Sequence, residues 1–422
     1  MLERLLEITR AHHEFFKYSI PLIASENVTS YLVRRFYLSD FGHRYAEGRI
    51  GKRFYQGCAF VDELEALAVE LTKRLFGVDH ANVQPISGTT ANMAAFFALT
   101  NPGDTIMSLS VPHGGHISHD RFSAAGLRGL NVKYYAFDNE RFNIDVDETR
   151  RKVERLEEKP KVFVLGASLF LFPHPVEEIA EIAREVGARV VYDASHVLGL
   201  IAGKRFQDPI REGADVVTAS THKTFPGPQR AVVMCKEELA KEIDRGVFPG
   251  VVSNHHIHSL AGYVAACLEM MEFGEAYAEQ IVKNAKRLAE SLYDRGYDVV
   301  CPDLGFTESH QIAVDVSKLG GGDKIAKLLE EVGIILNKNL LPWDDVKKAD
   351  NPSGIRIGVQ EVTRLGMKEE EMDVIAELID LAIKEKKSKR EIREMVKEFK
   401  SQFTTVKYTF EECPAYDFPE LC

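Results

Sequence analysis

The sequence predicts an α/β protein: a large domain with a mostly parallel sheet between helices, followed by a smaller C-terminal α/β domain. Three observations carry this prediction. Between residues 105 and 235, short apolar runs alternate with helical stretches. The runs are apolar on both faces, as strands covered by two helix layers must be. The 422 residues also exceed one ordinary domain of about 100–200.

Taken in order, MLERLLEITRAHHEFF mixes acids and bases among its apolar positions. It reads as an amphipathic arm over residues 1–20, packing on its own protein or a partner subunit, with no secretory core segment. DELEALAVELTKRLFG is a helix with Leu64, Leu67, Leu71 and Leu75 on one face and Gly77 as its stop. The strand runs are TIMSLS, VKYYAF, KVFVLG, ARVVYD, DVVTAS and AVVMC, with VEEIAEIAREVG the clearest helix between them. Two helical segments, roughly 257–272 and 275–296, close the large domain and open the next. YDVVC, QIAVDV, IILN and IRIGV then lie among helices, the 386–403 stretch is charged and helical, and the last residues are irregular. The expected division is an arm over 1–20, a large domain over 21–272 and a small domain over 273–422.

Composition narrows the function. Fifty-three basic against 64 acidic side chains give a net charge of −11, so bulk attraction to nucleic acid is not expected. No apolar run reaches the roughly 18 residues of a membrane span. Cysteines 58, 235, 267, 301, 413 and 422 form no CxxC pair, so reduced thiols and a cytoplasmic location are expected.

DASHVLGL (193–200) follows the run ARVVY, which puts Asp193 at the C-terminal end of a parallel strand, where open α/β sheets bind ligands. STHKTFPGP (220–228) puts Lys223 at another strand end, beside Ser220 and His222. Alone, such a lysine reads as solvated surface. Paired with a carboxylate on a neighbouring strand, it suits pyridoxal phosphate: the amine forms a Schiff base and the acid keeps the pyridine nitrogen protonated. In PISGTTANMAAFFALT, Ser87, Gly88 and Thr89 open a helix whose free N–H groups would hold a phosphate, although Ser and Thr are also ordinary caps. PHGGHISH spaces His113, His116 and His119 by three. A metal site is one reading, but no acid or Cys completes it nearby, and a histidine stacked on a flat cofactor is the alternative. YAEGRIGKRFYQG (45–57) reads either as a charged exposed loop or as a donor of Tyr and Glu to a site. Arg356 in SGIRIGV lies in an apolar alternation and would pair with a carboxylate, in a structural ion pair or on a ligand.

LIASEN (22–27), YAEG (45–48), PISGTTAN (85–92), PHGGHISH (112–119), DASHVLGLIAG (193–203), THKTFPGP (221–228), LNKNLLPWD (336–344) and SGIRIG (353–358) occur in an order that resembles serine hydroxymethyltransferase, with FYQG and FPGVVSNHHIH closest to archaeal-type members. The resemblance spans about residues 20–366. It implies an aspartate-aminotransferase-like fold, a homodimer with shared sites, pyridoxal 5'-phosphate, and serine–glycine interconversion with a reduced pterin, tetrahydrofolate or tetrahydromethanopterin. On the matching positions, Lys223 resembles the Schiff-base lysine, Asp193 the pyridine partner, His116 the stacking ring and His196 the neighbour of the phenolic oxygen. Ser87, Gly88, Thr89, Ser220 and His222 resemble the phosphate cradle. Ser168 matches a position near the ring. Arg356, Ser25 and Tyr55 match positions that hold the amino acid, and Asn339 one that touches the pterin. Tyr45 and Glu47 would enter from the neighbouring subunit, Glu47 as the acid–base group. No metal is implied.

Four departures stand out. Ser195 replaces an Ala beneath the ring, and Gln229-Arg230-Ala231 replaces Arg-Gly-Gly. Ser253-Asn254 replaces a Gly pair that meets the partner's phosphate, and Phe54 replaces a Tyr beside the pterin tail. Two other readings compete: a pterin-independent β-hydroxyamino-acid aldolase using the same lysine, and a binding protein that has kept the fold.

Overall fold

Helices and strands follow the apolar patterning closely in the computed structural model, which describes residues 1–418. The chain divides into two compact units, Leu32–Ala278 and Met1–Tyr31 together with the segment from Glu279 onward.

In the first unit, helix α1 (Ala59–Phe76) ends at Gly77, whose φ of 63° supplies the left-handed turn that a side chain would strain. Strand β1 (His80–Asn82) and helix α2 (Gly88–Leu99) follow. The sheet continues with β2 (Thr105–Ser108), β3 (Asn131–Tyr134) and β4 (Val162–Leu165). Helix α3 (Val176–Glu185) precedes β5 (Arg189–Asp193), β6 (Val216–Ser220) and β7 (Ala231–Cys235). These strands form one seven-stranded sheet in the order β1-β7-β6-β5-β4-β2-β3. All neighbours pair parallel except β7, which runs against both β6 and β1. Ala91, Ala94, Ala95 and Phe96 of α2 share a buried cluster with Ile106, Val162, Val164, Val191, Val216 and Val233. Parallel order puts the C-terminal ends of β5 and β6 side by side, and there the chain leaves the sheet at Asp193 and Ser220.

Two sequence expectations shift. The segments 257–272 and 275–296 are one helix, α4 (Ile257–Asp294). The helix runs through Gly274, a glycine that costs about 1 kcal/mol relative to Ala, and it packs closely on Gly203, where a Cβ would lie 2.3 Å from the Gly274 carbonyl oxygen. On α1 the buried face runs through Val61, Glu65, Ala68, Leu71 and Thr72, while Leu67 is exposed. The carboxylate on that face, Glu65, meets the Arg53 guanidinium at 2.7 Å.

In the second unit, β8 (Asp298–Val299), β9 (Gln311–Asp315), β10 (Asn337–Asn339) and β11 (Gly354–Gly358) form an antiparallel sheet in the order β8-β9-β11-β10. Ile334–Ile335 instead pairs parallel with Ile20–Pro21, which ties the N-terminal segment to this unit. The N-terminal arm is helical over Leu2–Lys17, and the charged stretch over Lys389–Lys400. Cys58, Cys235, Cys267, Cys301 and Cys413 are free thiols, and Cys422 lies outside the described residues. Among the described residues no helix is long and apolar enough to cross a membrane.

Candidate active site

A cavity of about 200 Å³ opens where β5 and β6 end, lined by Ser87, Gly88, Thr89, His116, Ala167, Asp193, Ser195, His196, Ser220, His222 and Lys223. Motifs far apart in sequence therefore meet in one place. The Lys223 ammonium donates to Ser220 Oγ at 2.9 Å. The Ser220 backbone N–H in turn donates to Ser195 Oγ at 3.0 Å.

Asp193 is 5% exposed. Its Oδ1 accepts the Ser195 N–H at 3.0 Å, and Oδ2 accepts from Asn92 Nδ2 at 2.8 Å and His119 Nε2 at 3.0 Å. Burial opposes ionisation, but the His119 hydrogen bond and the charges of His119, His116 and Lys223 outweigh it and hold the carboxyl far below the usual carboxylate range. Asn92 and His119 were missed by sequence reasoning. Asn92 donates to Ser118 Oγ and accepts from Thr218 Oγ1 at 2.6 Å, so one buried amide joins α2, β6 and the loop after β2 to Asp193. His119 did carry a signal, its spacing of three from His116.

Ligand atoms of His116, His119 and Asp193 lie within 4.8 Å of one another. The Asp193 oxygens are already committed to three donors, which is the arrangement of a fixed carboxylate facing a cation or a protonated ring. His116 Nδ1 sits 2.6 Å from Ser118 Oγ, which fixes the imidazole at the cavity wall.

Ser87 caps α2 by accepting the Thr90 N–H at 3.2 Å. Ser87, Gly88 and Thr89, the start of that helix, line the cavity, and a helix start suits an anion. A Cβ on Gly88 would sit 3.2 Å from Ser195 Oγ and 3.4 Å from Ser220, so a side chain here would crowd the two hydroxyls. Burial pushes the His222 imidazole down to about 4, with Lys223 adding to the effect, and its buried Nδ1 has no hydrogen-bond partner among the described residues. An orphaned ring nitrogen, hydroxyls, a helix start, an amine and a fixed carboxylate lining one cavity fit pyridoxal phosphate. Ser168 lies one residue past the lining residue Ala167, and its N–H donates to the Gly114 carbonyl at 2.6 Å. His196 is buried, and its carbonyl accepts from Thr224 Oγ1 at 2.7 Å.

The remaining residues lie elsewhere. Tyr45, Glu47 and Tyr55 belong to the same unit but do not line this cavity; Tyr45 and Tyr55 are exposed, with ring centroids 4.8 Å apart. In the other unit, Arg356 is buried in the middle of β11, and burial pushes its guanidinium down to about 10; its Nε donates to Asn337 Oδ1 at 3.2 Å. Ser25 sits on a turn laid against the end of β11: Gly358 N–H donates to the Leu22 carbonyl at 2.8 Å, and Gln360 Nε2 donates to the Ile23 and Glu26 carbonyls. Asn339 is half-buried on β10, paired with Gly354.

Comparison with known proteins agrees with this geometry. The family model described as serine hydroxymethyltransferase matches residues 2–379. A serine hydroxymethyltransferase of Archaeoglobus fulgidus is 65% identical, covering 99% of this chain and 95% of its own. One from Methanosphaera stadtmanae is 56% identical, over 99% and 98%. Among solved structures, an L-threonine transaldolase from Pseudomonas fluorescens in its internal aldimine state superposes with a TM-score of 0.88 at 30% identity, covering 97% of this chain and 93% of that one. The chain belongs to the serine hydroxymethyltransferase family of pyridoxal-phosphate-dependent transferases.

Proposed function

We propose that this chain interconverts serine and glycine, exchanging the one-carbon unit with a reduced pterin, tetrahydrofolate or tetrahydromethanopterin, in a homodimer whose sites draw on both subunits. The observation that supports the reading is that the Lys223 amine, the fixed Asp193 carboxylate and the start of a helix at Ser87, Gly88 and Thr89 line one cavity. Bound there, pyridoxal phosphate would supply an electron sink for the amino acid's Cα.

The chain's own residues do the rest. Lys223 would be the amine that holds the cofactor. Asp193, kept ionised, would keep its ring nitrogen protonated. Ser87, Gly88, Thr89 and Ser220 would hold its phosphate, with His222 beside them. His116, Ser168 and His196 would hold the remainder of the group. Arg356 grips the substrate carboxylate with Ser25 and Tyr55, and Asn339 touches the pterin. Tyr45 and Glu47 serve the partner's cavity, which accords with their lying off their own. Glu47 moves the proton of the serine hydroxyl and of the pterin nitrogen, a task for a positioned carboxylate. The free thiols of the described cysteines accord with a reducing, cytoplasmic setting.

The pterin-independent aldolase reading is less favoured, because the most similar relatives named above carry the transferase name over nearly the whole chain. The experiment is exchange of the glycine α-proton with solvent across a panel of reduced pterins. One pterin should accelerate exchange strongly; equal rates with every pterin and with none would overturn the transferase reading.

A further inference from the structure

The departures at Arg230, Ser253 and Asn254 converge on Glu47. The Ser253 hydroxyl donates to Glu47 Oε1 at 2.6 Å. The Asn254 side-chain oxygen accepts the Ala46 N–H at 2.8 Å. Arg53, its side chain 3% exposed, donates through Nη1 to the carbonyls of Ala46 and Gly48, the residues on either side of Glu47. The Glu47 carbonyl accepts the Phe54 N–H at 3.1 Å. Backbone and carboxylate of this one residue are thus gripped from several directions.

The grip is anchored in buried charge. Arg53 meets Asp62 and Glu65 at 2.7 Å each, and Glu65 also accepts from Gln84 Nε2 at 2.9 Å. His255 Nε2 stands 3.1 Å from Glu65. Burial opposes the charge on Glu65, but His255 and Arg53 hold its carboxyl below the usual range. Arg230, fully buried, donates to the carbonyls of His256 and Val83 and to Ser259 Oγ at 2.9 Å, pinning the segment that presents Ser253 and Asn254. A part-exposed carboxylate on a surface loop would ordinarily sample several rotamers. A short, charge-assisted hydrogen bond from a pinned hydroxyl selects one.

We propose that Ser253 is a positioning residue for proton transfer by Glu47: its hydroxyl holds Oε1, so that Oε2 is the oxygen that exchanges the proton. The proposal rests on the reading of Glu47 as the acid–base group, and the Gly pair that Ser253-Asn254 replaces could not make the contact.

The test uses full-length holoenzyme and four variants: Ser253→Ala, Ser253→Thr, Glu47→Gln and the double Ser253→Ala/Glu47→Gln. Pterin-dependent glycine formation gives kcat and the serine KM, and visible absorbance gives cofactor content. Ser253→Ala should lower kcat about 10-fold, the scale of a hydrogen bond to a charged group, with KM and cofactor content near wild type. Ser253→Thr, which keeps the hydroxyl, should retain most of the turnover. In the Glu47→Gln background, Ser253→Ala should add less than about twofold, because the two act as a unit. An equal loss in both backgrounds, a loss explained by missing cofactor, or no loss in Ser253→Ala would each overturn the proposal. Wild-type turnover in Glu47→Gln alone would instead overturn the reading of Glu47 beneath it.

Discussion

The cavity at the ends of β5 and β6 and the 45–57 loop each present a carboxylate, and they hold it by different means. Asp193 leaves a sheet strand and receives three donors inside the core, with two imidazoles and an ammonium to offset its desolvation. Glu47 sits on a loop with exposed Tyr45, Phe54 and Tyr55 around it, and takes its order from a buried ion network several residues away. The first arrangement makes a permanent charge, as a partner for a protonated ring needs. The second fixes where a loop carboxylate points, through the Ser253 hydroxyl and the bonds to its neighbouring backbone. The lesson is that one acid is built to keep its charge and the other to keep its position.

The largest expected effect erases the cavity's function. Lys223→Ala should abolish the covalent, borohydride-reducible cofactor link and reduce turnover to background, with the far-UV spectrum unchanged. A surviving reducible link would move the assignment to another lysine. Asp193→Asn keeps the shape and removes the charge, so turnover should fall roughly 100-fold or more while cofactor remains bound. Turnover near wild type would mean that the fixed charge is dispensable. Glu47→Gln should leave serine binding intact, read by the change in cofactor absorbance, and lower pterin-dependent turnover about 10²–10⁴-fold. A much smaller loss would make the loop carboxylate structural. His119→Phe removes one of the three Asp193 donors and should cost about 10-fold in turnover, with the serine KM little changed.

A third carboxyl sharpens the contrast. Glu361, 5% exposed in the other unit, is pushed up to about 7 by burial, despite the Tyr416 hydroxyl at 2.6 Å and the charge of Lys400. Between its ordinary 4.5 and about 7 the folded chain holds a proton that the unfolded chain releases. This contribution to stability is therefore complete below pH 4.5 and is lost as pH rises through 7. Glu361→Gln should flatten the fall of Tm across that window, an effect of about 1–3 kcal/mol at its upper end. An unchanged slope would show that Glu361 ionises normally.

Legibility in the sequence followed the same division. Apolar runs bounded by DASH and STHK placed Asp193 and Lys223 at strand ends, because a buried parallel strand is written in consecutive residues. The support of Asp193 was less visible: Asn92, which donates to it, and Thr218, which donates to Asn92, look like ordinary polar positions until α2 and β6 bring them together. The clamp on Glu47 was least visible. Glu65 registers only as a break in a leucine face, and Ser253, Asn254 and Arg230 only as departures from a family pattern. The continuous helix α4 was not visible either, since the apolar pattern thins between residues 272 and 275 where the helix runs on.

The central claim is that a working site joins the cavity of one chain to the 45–57 loop of another. Mixing Lys223→Ala with Glu47→Gln chains under verified subunit exchange tests it directly. A hybrid dimer then holds one site with both wild-type groups, so an equal mixture of two inactive variants should recover about a quarter of wild-type turnover, given random pairing. No recovery, with hybrids demonstrably present, would place the cavity and its loop within the same chain's site and contradict the claim.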